Sequence, residues 1–274
     1  MSIPKADIVA QITGKTDVYA FVSHPVAQAR APELINPMFR ARGVDAVMVG
    51  LDVPTEAFDD AMKTFVALGN FKGMIISVPH KARALPFACK VSARAEAVGA
   101  VNCLKKTADG RWIGDMFDGL GFVRGLEAAK HPIKGREALL VGAGGAGAAI
   151  AHALADAGIA RLSVFDVDDV RAAELVTRVQ AFHPNVTAEI APAHPAGHHM
   201  VINATPLGMK ETDPYPIDPD CLTPDVLVVE AIMKPPVTRL LKAAENKGCS
   251  VHPGAPMLDN QMAEFVEFLL SADA

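Results

Sequence analysis

Several absences narrow the reading of this chain. There is no run of lysine or arginine, and the net charge is −5. A basic surface for nucleic acid is therefore not expected. The four cysteines, Cys89, Cys103, Cys221 and Cys249, show no CxxC spacing. They read as reduced thiols, not as a disulfide frame or a zinc site. The nine histidines show no HExxH or comparable spacing, so no metal is expected. The opening stretch, MSIPKADIVAQITGKTD, carries charges and a proline where a secretory signal has an apolar core. A cytoplasmic protein is expected. Short repeats and low-complexity tracts are also missing. One apolar window, residues 138–160, is long enough to cross a bilayer. Its glycines and alanines, with His152 and Asp156, make it a buried segment of a globular protein, and no membrane partner is expected.

What is present is a chain of 274 residues, 50% hydrophobic and 21% charged, long enough for two domains. Apolar strand patterns alternate with helical ones, which implies an α/β fold with parallel sheets. A first series has strands at 18–22, 44–51 and 73–78 and helices near 32–42, 54–68 and 82–97. A hairpin over 100–117 turns at Asp109-Gly110. A second series has strands at 137–141, 161–166, 199–204 and 225–232, with helices at 168–182 and 237–248. One amphipathic helix is expected over 254–270. The two series meet near 118–136, where a connecting helix and loop are expected.

The loop Gly142-Ala143-Gly144-Gly145-Ala146-Gly147 follows a strand and opens a helix. Gly142, Gly144 and Gly147 fit GxGxxG, whose glycines permit a tight turn, approach of a pyrophosphate and close helix packing. Asp166 ends the next strand, about 20 residues further on, where a carboxylate accepts hydrogen bonds from ribose hydroxyls and repels a 2′-phosphate. With Asp166-Val167 and no arginine at that point, NAD is expected over NADP. Asp168 and Asp169 add to that bias or simply cap the following helix. Lys81, in ISVPHK, and Asp118, in GDMFDGLGF, are candidates for chemistry. Hydride addition to a carbonyl builds charge on oxygen, which an ammonium stabilises and protonates. Their plainer readings are a solvated lysine at a helix start and a turn aspartate before glycine.

The pieces HPVAQARAP, ISVPHK, AVGAVNCL, GDMFDGLGF, GAGGAG, VINATPLGM and GAPMLDNQ, in that order, resemble the shikimate dehydrogenase family over nearly the whole chain. The resemblance implies an α/β substrate domain, 1–117 completed by 254–274, and a nucleotide domain of Rossmann type, 118–253. It also implies reversible oxidation of a ring hydroxyl on shikimate or a relative, with Lys81 and Asp118 as the catalytic pair. It places Gln28, position 29, position 31, Ser77, Asn102 and Gln261 at the substrate. It places Asn203, Thr205 and Met209 at the cofactor. A monomer or homodimer is implied, with a small hydroxylated cyclic molecule as partner. The chain also departs from the family. Ala29 and Ala31 stand where two serines hold a carboxylate, and Ile75 where an asparagine is usual. Met116 and Phe117 replace an asparagine and a threonine. Met233 replaces a tyrosine, and Asp166-Val167-Asp168 replaces an Asn-Arg-Thr motif. Poor activity on shikimate is therefore expected. Arg30 either replaces the serines as a carboxylate ligand or faces solvent. Two other readings stay open: an NAD-binding sensor without catalysis, and a methylenetetrahydrofolate dehydrogenase-like enzyme.

Overall fold

The computed structural model describes residues 12–27 and 29–272. Gln28 lies outside the described residues. The chain divides into two compact units. One gathers the chain up to Ala95, Gly99–Asp115 and the chain from Met262 onward; the other holds Glu96–Val98 and Met116–Gln261.

In the first unit, strand β1 (Asp17–Ser23) leads to helix α1 (Ala31–Ala41), β2 (Ala46–Asp52), α2 (Phe58–Ala67) and β3 (Phe71–Ile76). A short helix α3 (Lys81–Ala84) follows, then β4 (Lys90–Val91) and α4 (Ala93–Val98). The hairpin β5 (Cys103–Lys106) and β6 (Trp112–Asp115) turns through Gly110 at φ +85°. The sheet order is β2-β1-β3-β5-β6-β4. Strands β1, β2 and β3 run parallel, while β5 is antiparallel to both β3 and β6. The core under this sheet includes Ala20, Val22, Ile35, Phe39, Phe58 and Met74, all fully buried. The helix expected over 82–97 is broken. Pro86 and the pairing of Lys90 and Val91 with β6 interrupt it, and a pairing across the sheet outweighs the local helical pattern.

In the second unit come α5 (Asp118–Ala128), β7 (Glu137–Val141), α6 (Gly145–Asp156), β8 (Arg161–Phe165), α7 (Asp169–Phe182) and β9 (Thr187–Ile190). Then follow β10 (Met200–Asn203), β11 (Leu227–Glu230), α8 (Arg239–Asn246), β12 (Ser250–His252) and α9 (Ala255–Asp259). The sheet is parallel throughout, in the order β12-β11-β10-β7-β8-β9. This doubly wound order reverses between β7 and β10, the place where such sheets take dinucleotides. Leu140, Ile150, Leu154, Leu162, Ile202 and Val229 form its inner core, each without solvent exposure. The short strands β9 and β12 are additions to the expected set.

The single C-terminal helix expected over 254–270 is two helices, α9 and α10 (Met262–Leu270), separated at Asn260 and Gln261. The break also divides the segment between units. α9 packs on α5, where glycines bring the backbones together: a Cβ on Gly121 would lie 2.3 Å from the Met257 carbonyl oxygen. Only α10 joins the first unit, where Leu269 fills the space over Gly73. Among the described residues, no helix is long and apolar enough to cross a membrane.

Candidate active site

In the first unit, β1 and β3 lie side by side and end together, Val22 opposite Ile76. The sheet order reverses between them, so their carboxyl ends open the kind of crevice where α/β sheets bind ligands. Two loops leave this edge, 23–31 and 77–81. They are tied by backbone bonds: Ser77 N–H donates to the Val22 carbonyl (2.8 Å), and His24 N–H to that of Val78 (3.3 Å). Lys81 opens α3, half-buried, and its carbonyl accepts from Val101 N–H (3.1 Å). Asn102 is 1% exposed. Its N–H donates to the Asp115 carbonyl (2.9 Å), and its carbonyl accepts from Ile76 N–H (2.8 Å). Ser77, Lys81 and Asn102 are thus brought to one sheet edge.

The neighbouring His80 anchors this edge. Its ring stacks on Phe58 with centroids 4.3 Å apart, and Nε2 donates to the Val53 carbonyl (2.8 Å). Burial lowers its pKa and keeps the ring neutral. Asp115 is held by Ser92 and by a bidentate pair with Arg94 (2.7 Å each).

In the 23–31 loop, Ala29 is half-buried and Ala31, the first residue of α1, is 2% exposed, as is Ile75; none of the three carries a polar side-chain group. His24 Nδ1 pairs with Asp52 (2.7 Å). Arg30 donates from Nε to Glu33 (3.3 Å) in the first turn of α1, with its side chain 44% exposed. Asn36 was not singled out from the sequence. It clamps α1 to β2, donating to the Met48 carbonyl (2.9 Å) and accepting from Met48 N–H (2.8 Å).

In the second unit, the three motif glycines answer to separate demands. Gly142 turns at φ +106°, and a Cβ there would come within 2.9 Å of the Ala204 backbone. Gly144 is exposed with nothing within 4 Å of a built Cβ, so the amides at the start of α6 are bare of side chains. Gly145 is likewise open and Ala146 half-buried. A Cβ on Gly147 would lie 1.9 Å from the Gly142 carbonyl oxygen. Ala143 N–H donates to Asp166 Oδ2 (2.7 Å), and Asp168 N–H to Oδ1 (2.9 Å). The carboxylate expected for the ribose is therefore tied to the glycine loop itself. Val167, beside it, is 91% exposed. Asp168 caps α7, accepting from Val170 and Arg171 N–H, and pairs with the Arg171 guanidinium (3.2 Å). An open helix start with bare amides and an adjoining carboxylate fits a dinucleotide.

Asn203 ends β10 without solvent exposure. Its Oδ1 accepts from Thr205 N–H (3.0 Å) and from the Thr205 hydroxyl (2.7 Å), and Nδ2 donates to the Leu207 carbonyl (2.9 Å). Met209, two residues on, is 57% exposed. Glu230 was also missed from the sequence. It is 1% exposed, and its Oε2 accepts from Asn203 Nδ2 (3.0 Å). Burial pushes its carboxyl up to about 7, against the lowering effect of its hydrogen bonds. The signal available was a lone acid inside the apolar run DVLVVEAI.

Asp118 opens α5 at 5% exposure, directly after Met116 and Phe117 at 2% each. A Cβ on Gly119 would lie 2.1 Å from the Ala149 carbonyl oxygen on α6, which places α5 hard against the nucleotide helix. Gly121, one turn past Asp118, faces the Gln261 side chain, which is itself 4% exposed. Lys81, Ser77 and Asn102 stand in the first unit; Asp118 and Gln261 stand with the glycine loop in the second.

Residues 21–104 match the family model of the shikimate dehydrogenase substrate binding domain. A shikimate dehydrogenase (NADP(+)) of Rubrobacter xylanophilus is 35% identical over 96% of this chain and 92% of its own length. This chain belongs to the shikimate dehydrogenase family. As a family member it is an NAD(P)-dependent oxidoreductase. The shikimate 5-dehydrogenase of Listeria monocytogenes, solved with shikimate and NAD, is similar at TM-score 0.85 and 31% identity, covering 94% of this chain and 93% of that one. The ligand-free 5-ketofructose reductase of Gluconobacter sp. strain CHM43 is similar at TM-score 0.82 and 30% identity, with 94% of each chain covered.

Proposed function

We propose that this member of the shikimate dehydrogenase family is an NAD-preferring dehydrogenase. Its substrate is a cyclic polyol related to shikimate or quinate, with shikimate itself a poor one. The observation that carries the reading is the pair of alanines, Ala29 and Ala31, at the end of the 23–31 loop. They bring methyl groups where family members bring serine hydroxyls, and the Arg30 guanidinium is paired with Glu33. A carboxylate oxygen taken from water without a donor costs about 1–3 kcal/mol, or roughly tenfold or more in affinity. A carboxylate-free substrate loses nothing at such a loop. The similarity to a protein named for a keto sugar is in keeping with that direction.

For the cofactor, the support is Asp166. Its carboxylate borders the glycine loop, and the Arg171 guanidinium, in the first turn of α7, is paired with Asp168. A 2′-phosphate would meet net negative charge there. When bound, the nicotinamide gives or takes the hydride. In this reading Lys81 hands a proton to the carbonyl oxygen during reduction and receives the hydroxyl proton during oxidation. The Asp118 carboxylate orients the reacting groups, Asn102 and Gln261 bind substrate hydroxyls, and Met209 stands by the nicotinamide.

The test is a turnover screen of shikimate, quinate, aminoshikimate and carboxylate-free cyclic polyols, each with NAD and NADP. The expected result is the highest kcat/KM with NAD and a substrate other than shikimate. Efficient shikimate turnover with NADP overturns both parts.

A further inference from the structure

Glu230 sits in an unusual place for an acid. It ends a central strand, fully enclosed, opposite Asn203 in the β10–β11 register. Around it are donors. Asn203 Nδ2 reaches Oε2 (3.0 Å), and the Thr238 hydroxyl reaches Oε1 (2.7 Å). Thr238 caps α8 by accepting from Leu241 N–H (3.3 Å), which leaves its single hydroxyl hydrogen for Glu230. The Asn203 amide has a donor side and an acceptor side, and the surroundings distinguish them. Its two Nδ2 hydrogens go to Glu230 and to the Leu207 carbonyl; its Oδ1 takes both donors of Thr205. Turned over, the amide would set oxygen against two acceptors and NH2 against two donors. Thr205 continues the chain of contacts by accepting from Leu207 N–H (3.1 Å). This turn lies against the glycine loop, since Ala204 and the Thr205 methyl are the atoms a Cβ on Gly142 would strike.

We propose that Glu230 is a positioning residue for the 204–209 loop, acting through the Asn203 amide. The proposal rests on reading that loop as part of the nicotinamide nucleotide site. Glu230 touches no reacting atom. It anchors the Asn203 amide to β11 from outside the turn, and Asn203 in turn holds the turn that borders the glycine loop. An apolar side chain at 230 removes one of the two acceptors of Nδ2 and leaves that hydrogen unpaired, so the amide is held less firmly and the turn loosens.

The experiment compares Glu230→Leu, Glu230→Gln and Glu230→Asp with the parent chain by NADH titration and steady-state kinetics. The expected result for Glu230→Leu is a cofactor Kd and KM raised about tenfold or more, with kcat at saturating cofactor within about threefold. Glu230→Gln keeps an oxygen for Asn203 and is expected within about threefold of the parent in every parameter. In an Asn203→Ala background, Glu230→Leu is expected to add less than about twofold, because the route to the loop is already cut. Unchanged cofactor affinity in Glu230→Leu overturns the proposal. So does full additivity with Asn203→Ala, or a Glu230→Gln as impaired as Glu230→Leu. Should Glu230→Leu fail to fold, Glu230→Asp answers the same question. Its carboxylate is withdrawn by one carbon, and parental cofactor affinity there overturns the proposal. Failure of the parent chain to bind NADH overturns the nucleotide-site reading instead, which separates the two.

Discussion

The 142–147 loop of the second unit and the 23–31 loop of the first occupy equivalent positions. Each leaves a central strand where sheet order reverses, and each opens a helix. The 142–147 loop keeps the three glycines of its motif; in the proposed reading, Ala29 and Ala31 of the 23–31 loop stand in place of two serine hydroxyls. The difference is physical. Gly142 and Gly147 are held by backbone sterics, a positive φ in one case and a 1.9 Å clash in the other, so a side chain at either disturbs folding as well as binding. Ala29 differs: it is half-buried, and its N–H donates to the Val26 carbonyl (2.8 Å) three residues back. A binding loop built on backbone geometry resists change, whereas one built on side-chain chemistry is free to alter its ligand.

Three variants test that contrast. The largest effect is expected from Lys81→Ala, which should lower kcat by about 10²–10⁴-fold while the NADH Kd stays as it was. Retained turnover would remove Lys81 from the chemistry. Next, Gly147→Ala should weaken NADH binding at least tenfold and cost about 1–3 kcal/mol of stability, measured by titration and denaturant unfolding together. A stable variant with unchanged binding would show the glycine loop to be no more constrained than its counterpart. The smallest expected effect belongs to Ala29→Ser combined with Ala31→Ser. It should raise shikimate kcat/KM by about five- to thirtyfold with little change in Tm. A null result would shift the cause to Ile75, Phe117 or Met233.

Much of the fold was legible because local chemistry and tertiary context agree. Asp109-Gly110 asks for a tight turn and Gly110 supplies the positive φ. The strand–glycine–helix series asks for a doubly wound sheet, and β7, β8, β10 and β11 provide its centre. The misreadings arise where distant parts decide. Lys90 and Val91 become a strand because β6 offers an edge. α9 and α10 separate because one packs on α5 and the other in the first unit. In the candidate site, the glycine loop and Asp166 could be read from spacing, whereas Lys81 and Asp118 stood out only through the family resemblance. Asn36 and Glu230 could not, since their partners Met48, Asn203 and Thr238 lie far off in sequence and the pairing exists only once the sheets form.

Val167 carries a consequence of a different kind. It adjoins the Asp166 carboxylate yet is 91% exposed, contributing nothing to the core. Exposed substitutions of this sort usually alter stability by no more than about 0.5 kcal/mol. An arginine at 167 would therefore change the charge beside Asp166 at little cost to folding, while Asp166 itself stays fixed by its bonds to the Ala143 and Asp168 amides.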